Sequence, residues 1–205
     1  MTPSPAPPDQ PAGTQDIRLD TARLRVLAHP LRLNVLALLR QRGPSTATRI
    51  AAELGINPGS ASYHLRRLAA GGLIVETPGR GTGRERWWES VHRQSIHDPA
   101  DEPEHERAAG RAYAHAVALA AVERLRKAAD EVPLLPAEWY EASVYSDFTM
   151  RLAPQDVERM RAEIFEVISA YRQGEAGAPH GAVPVSLQVQ AFPVPGTVDL
   201  DVGDA

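Results

Sequence analysis

The chain has 205 residues, enough for one substantial core or for a small domain joined to a second unit. It has no Cys, which excludes a disulfide framework and a thiolate metal site, and no run of about 18 apolar residues, which excludes a transmembrane helix. The net charge of −4 is unevenly spread: residues 21–90 hold eleven Arg against four acids, a net of +7, and the remainder holds 11 basic and 22 acidic residues, a net of −11. Such asymmetry is the expected footprint of a nucleic-acid module joined to a non-binding one. The start of the chain is Pro-rich and lacks the basic and apolar regions of a signal peptide, so residues 1–18 are expected to be a disordered tail and the protein cytoplasmic.

Asp20 caps a first predicted helix that turns Leu24 and Leu27 inward and that Pro30 ends or bends. A second helix is predicted from about Leu31 to Arg42, with Leu31, Val35, Leu38 and Leu39 at three- and four-residue spacing. Gly43-Pro44 stops it. Ser45 or Thr46 caps a third helix whose Ile50, Ala51 and Leu54 face the core, and Gly55 supplies a turn that needs a positive φ. Asn57 caps a fourth helix with Pro58 at its first position. Its buried stripe is Ala61, Leu65 and Leu68, leaving Ser60, Ser62, Tyr63, Arg66 and Arg67 wholly or partly off that stripe. Short hydroxyl side chains on a first turn can approach base edges closely, and the positive end of the helix favours phosphate. Leu73–Glu76 and Glu85–Glu89 then read as a hairpin around a slim loop with three glycines, from which Arg80 and Arg84 can reach phosphates or a minor groove. Trp87 and Trp88 alternate on a strand, so one belongs in the core, and the other is assigned to an interdomain or dimer contact.

The runs Ala28-His29-Pro30-Leu31-Arg32, Ile50-Ala51-Ala52-Glu53-Leu54-Gly55 and Ser62-Tyr63-His64-Leu65-Arg66-Arg67-Leu68 resemble the ArsR-type winged helix-turn-helix repressors. The Gly71-Gly72-Leu73-Ile74 exit and the Gly81-Thr82-Gly83-Arg84 wing resemble an actinobacterial-style branch with an extended C-terminal half. The resemblance covers residues 19–92. It implies a homodimer on a pseudo-palindromic operator, with DNA contact carried onto Ser60, Ser62, Tyr63, His64 and Arg67 and wing contact onto Arg80 and Arg84. For His64 a hydrogen bond within the domain is the equal alternative.

Members of the resembled family often sense metals, and the acidic run offers Asp98, Asp101, Glu102, His105, Glu106 and His115. Asp101 and His105 are one helical turn apart, but His105 and His115 are offset by about 80° around a helix, and the family's second His-plus-acid pair is missing. The run is therefore read as a solvated N-terminus for the following helix, with no metal and no cofactor expected. No nucleophile elbow, phosphate-binding loop or HExxH motif occurs, so no enzyme is expected.

A long Ala-rich helix is predicted from Glu102 to about Glu131, with Tyr113, Val117, Ala121 and Leu125 at four-residue spacing. Its small residues favour close approach of another helix, either from a second copy, as in the resembled family, or from within the chain. Alternation from Ala142 to Leu152 and from Val183 to Ala191 predicts two strands flanking a helix that Pro154 opens, with Val157, Met160, Ile164, Ile168 and Tyr171 as its apolar face. Trp139, Tyr140, Tyr145 and Phe148 lie close in sequence and are candidates for a small-molecule effector pocket. The tail 193–205 is expected to be loose and acidic.

The sequence thus predicts an α+β protein: a winged helix-turn-helix domain over 19–92, then a long helix and a small strand-helix-strand unit over 102–192 serving dimerisation and a possible effector. The expected function is a homodimeric, DNA-binding transcriptional repressor that occludes its operator. The alternative is an adaptor whose Arg-rich face meets an acidic protein.

Overall fold

The computed structural model describes residues 16–78, 85–173 and 181–199. They fall into two compact units, residues 1–131 and 132–205.

In the first unit, Asp16–Arg18, the last three residues of the predicted tail, forms strand β1. Helix α1, Thr21–Leu27, is capped by Asp20, whose carboxylate accepts the Arg23 N–H at 2.8 Å. Helix α2, Pro30–Arg42, begins with Pro at its first position and ends at Gly43, which takes φ 76°. Strand β2, Ser45–Thr46, leads into helix α3, Ala47–Leu54, with Thr46 as its cap. Helix α4, Pro58–Ala70, is followed by strands β3, Ile74–Glu76, and β4, Trp87–Ser90.

The antiparallel sheet has the order β2-β4-β3, with Val75 opposite Glu89 and Thr46 opposite Trp87. Leu27, Val35, Leu36, Leu39, Ile50, Leu65, Leu68, Leu73 and Trp88 build one core between the helices and this sheet. Leu36, absent from the predicted stripe of α2, is fully buried, and Leu31 and Leu38 are only partly so. Trp88 is the core tryptophan. Trp87 lies under the guanidinium of Arg49, 4.7 Å from the ring centroid, so its contact is within the domain.

One strand was not predicted, and the predicted long helix takes the intrachain one of its two expected packings. Strand β5, Gln94–Ile96, pairs in parallel with β1, and the Leu19 N–H extends the ladder to the Ile96 carbonyl at 2.9 Å. The long helix α5, Arg107–Glu131, packs on α1 and α2 and belongs to the first unit. It starts later than Glu102 because Pro103 intervenes; Pro99–Asp101 and Glu104–Glu106 are 3-10 turns instead. The buried face of α5 is Ala109, Gly110, Ala116, Ala120 and Ala121, so its small residues serve close packing inside the chain. Leu119, Val122 and Leu125 are left exposed.

Buried polar groups fix this arrangement. Arg40 of α2 donates from Nε to the His92 carbonyl at 3.0 Å and from its terminal nitrogen to Ser95 Oγ at 2.9 Å, tying the helix to the chain around β5. Burial brings the Arg40 pKa down to about 10, against the opposing pull of Tyr113 and Asp16. Glu102, expected to be solvated, is withdrawn: its carboxylate meets His97 Nε2 at 2.8 Å and lies over Gly110. His97 in turn meets the Tyr113 ring edge-on, with centroids 5.3 Å apart.

In the second unit, helix α6, Ala137–Ala142, and helix α7, Pro154–Gln173, are formed. The predicted flanking strands are not. Ala142 closes α6, and residues 143–153 and 182–194 carry neither helix nor strand. Alternation gives a segment an apolar face, but a strand exists only when a partner accepts its ladder hydrogen bonds. Val144, Phe148 and Val185 stand exposed, and no described residue of the second unit is fully buried.

A Cβ at position 110 would overlap the Glu102 carboxylate. Gly110→Ala is therefore expected to displace Glu102 from His97 and to cost about 1–3 kcal/mol, the range for a buried charge-assisted contact. The check is the urea midpoint, with Glu102→Gln as a comparison; an unchanged midpoint for both variants would refute the role given to this contact.

Candidate nucleic-acid interface

The exposed face of α4 is set by the turn before it. Gly55 adopts the left-handed conformation, φ 65° and ψ 35°, and its N–H reaches the Ala51 carbonyl. Any L side chain there meets the steric cost that Gly avoids. The Ile56 N–H also returns to Ala51, at 3.0 Å. Two residues on, Asn57 Oδ1 accepts the Ser60 N–H at 2.7 Å and starts α4. With Ala61, Leu65 and Leu68 fully buried, the rotation of α4 about its axis is fixed.

That rotation turns Tyr63, Arg66 and Arg67 to the surface, with Ser60 and Ser62 half-buried on the first turns. Tyr63 is 53% exposed, high for so large a side chain. Arg66 and Arg67 form no ion pair among the described residues, unlike Arg42, which pairs with Glu53, and Arg86, which faces Glu76 at 3.8 Å. Strands β3 and β4 pair beside α4, and the Thr77 N–H prolongs the pairing to the Trp87 carbonyl at 2.8 Å. Arg80 and Arg84, with the glycines between them, lie outside the described residues.

His64 departs from the surface set. It is only 6% exposed, and its ring centroid lies 4.7 Å from that of His29 and 5.2 Å from that of Tyr63. It is packed inside the domain, but its Nδ1 has no hydrogen-bond partner, so the hydrogen bond expected as the alternative to DNA contact is not seen. Burial, then His29 and Arg32, lower its pKa from the ordinary value of 6.5. Burial and Arg32 likewise lower that of His29, whose Nδ1 caps α2 by accepting the Leu31 N–H at 3.2 Å. Nothing in the sequence brings these two histidines together, since they are 35 positions apart.

The four aromatic residues proposed for an effector pocket do not gather. Trp139 and Tyr140 sit on α6, whereas Tyr145 and Phe148 lie in the chain that follows it, and all but Trp139 are exposed. Two shallow depressions occur elsewhere among the described residues, one along Ala162, Phe165 and Ala170 of α7 and one between α2 and α3 at Arg42 and Arg49. No group of three or more metal-ligating side chains occurs among the described residues, and His105 faces Glu106 at 3.7 Å. No described helix is long and apolar enough to cross a membrane.

Residues 27–77 match the family described as a helix-turn-helix domain. No curated protein matches the chain. Among solved structures, it is similar to a possible transcriptional regulatory protein (fragment 1–100) from Mycobacterium bovis, with 27% identity over 48% of this chain and 88% of that one and a TM-score of 0.31. A second is the homodimeric winged helix-turn-helix DNA-binding domain (fragment 1–100) Mb0332 from Mycobacterium bovis, a possible ArsR-family transcriptional regulator, with 25% identity over 54% and 80% of the two chains and a TM-score of 0.30. A third is the transcriptional regulator homologue protein from Pyrococcus horikoshii OT3, with 18% identity over 51% and 92% and a TM-score of 0.30.

The lowered histidine pKa values make a directional prediction. His29 and His64 favour the neutral form in the folded state, so the unfolded chain binds more protons below about pH 6.5. Stability is then full above that value and declines as the pH falls through it. The Tm is expected to drop between about pH 7.5 and pH 5.5, and His29→Asn, which retains a capping side chain, is expected to shrink that drop. An acid limb of equal depth in this variant would exclude His29 as its source. Separately, Asn57→Ala should lower stability by about 1 kcal/mol through loss of the α4 cap, read from chemical denaturation.

Proposed function

We propose, from the match of residues 27–77 to a helix-turn-helix domain family, that this protein is a sequence-specific DNA-binding transcriptional regulator, a homodimer that represses by occluding its operator. The observation that carries this reading is the exposed face of α4, where two guanidinium groups without ion pairs flank a tyrosine and two serines beside a wing. In this reading α4 enters the major groove. Ser60, Ser62 and Tyr63 approach base edges, while Arg66, Arg67 and the wing residues Arg80 and Arg84 neutralise phosphates. His64 supports Tyr63 from below.

The dimer places one α4 in each half-site. Its support is the apolar surface that one copy leaves open: Leu119, Val122 and Leu125 along α5, and a second unit with no fully buried residue among those described. A domain needs a core, and a second copy supplies one by covering apolar side chains that would otherwise stay in water.

Selection of bound sequences from a random duplex library tests the reading. An enriched inverted repeat with half-sites about one helical turn apart, bound less tightly as salt rises, is the expected result. Ser60→Ala combined with Ser62→Ala should change the preferred sequence, whereas Arg66→Ala should weaken binding to all sequences. Absence of any enrichment would favour the protein-adaptor reading. Sedimentation at micromolar concentration should give a dimer, and Leu119→Glu with Val122→Glu should shift it towards monomer; a monomeric unmodified protein would overturn the dimer.

A further inference from the structure

At the edge of the exposed face of α4 lies a cluster of cationic side chains with no carboxylate partner among the described residues. Arg32, on the first turn of α2, sits close enough to Arg67 of α4 for the two guanidinium charges to repel each other. Neither forms an ion pair among the described residues. Arg32 Nε is buried without a hydrogen-bond partner, and so is Nδ1 of His64, a residue more than nine-tenths buried. His29 completes the group: with its Nδ1 accepting the Leu31 N–H, its neutral ring carries the remaining proton on Nε2, which makes that nitrogen a donor.

Two like charges brought together, one of them with a buried Nε–H that has no acceptor, are costly unless an anion joins them. The backbone of α2 is not the host, because the Leu31 N–H goes to His29 Nδ1 and those of Arg32 and Leu33 to the His29 carbonyl, at 3.0 and 3.3 Å. The side chains must hold the anion, helped by the positive end of the α2 dipole. Guanidinium groups match the paired oxygens of a phosphate, and Arg67 and Tyr63 belong to the surface assigned above to DNA.

We propose that Arg32, Arg67 and the Nε2–H of His29 clamp one phosphate of the DNA backbone at the seam between α2 and α4, fixing the angle at which α4 enters the groove. This rests on the DNA-binding reading. It adds α2 to a contact surface otherwise built from α4 and the wing, and gives Arg32 a role that the sequence did not assign.

The test compares the full-length protein with Arg32→Gln on the selected operator across a series of salt concentrations. Arg32→Gln is expected to bind every duplex about tenfold more weakly, with the salt slope shallower by about one unit and the preferred sequence unchanged. A methylphosphonate scan, neutralising one phosphate at a time, should find one position per half-site where the unmodified protein loses affinity and Arg32→Gln loses no more. Arg32→Lys, which keeps charge but not the fork, should restore the slope and only part of the affinity, and it serves where Arg32→Gln does not fold. Unchanged affinity and slope in Arg32→Gln, or equal losses for both proteins at every phosphate, would overturn the clamp while leaving the DNA reading intact. Thermal stabilisation by inorganic phosphate that Arg32→Gln abolishes, without any effect on DNA, would assign the cluster to a free anion and overturn it too. If the unmodified protein binds no duplex, both readings fail.

Discussion

The short span from Gly55 to Asn57 sets what the first unit can present to a partner. A left-handed glycine reverses the chain after α3, and two residues later an asparagine side chain starts α4 by taking up the Ser60 N–H. Those contacts fix the direction of α4, and three fully buried side chains fix its rotation. Once both are fixed, the placement of Tyr63, Arg66 and Arg67 follows from the 3.6-residue period alone. The face is thus rigid through interactions that none of its own side chains make. Such separation allows serines and arginines to change with little cost to the domain, and with them the sequence that is read.

The surroundings of α4 show a second constraint, the management of charge. Arg42, Arg23 and Arg126 each have a carboxylate neighbour, and Arg40 is buried but donates to a carbonyl and a hydroxyl. Around α4 this pairing stops. Among the described residues, Arg32, Arg66 and Arg67 face no carboxylate across an ion pair, and two histidines nearby are held towards their neutral forms by burial and by Arg32. The cationic character of the face therefore rests on guanidinium groups, which stay charged at any physiological pH, with the imidazoles contributing hydrogen-bond donors.

The first unit was legible because its signals are local. Asp20, Thr46 and Asn57 cap helices, Pro30 and Pro58 open them, and Gly55 reverses the chain, each through chemistry confined to a few neighbouring residues. What was missed depends on distant partners. Asp16–Arg18 is too short to show a strand pattern and becomes one only because β5 lies beside it. The contact between His29 and His64, and the buried placement of Glu102 over Gly110, likewise join residues whose spacing carries no signal. The reverse error arose in the second unit. There the alternation at Val144, Phe148 and Val185 is plain, but no strand among the described residues accepts its hydrogen bonds. Alternation identifies a face to be covered, and it does not supply the cover.

The seating of α5 on α1 and α2 redraws where the recognition module ends. A fragment cut after the wing, at residue 92, would lose both β5 and the alanine face that shields α1, leaving Leu24 and part of α2 in water. For anyone grafting this reader onto another protein, the transplantable piece is residues 16–131. Its outgoing connection is then the C-terminal end of a 25-residue helix, a rod about 37 Å long. Ala120 and Ala121 are still buried and Arg124 still reaches Asn34 of α2 at 3.3 Å, so only the last two turns of that rod are free to carry a fused cargo.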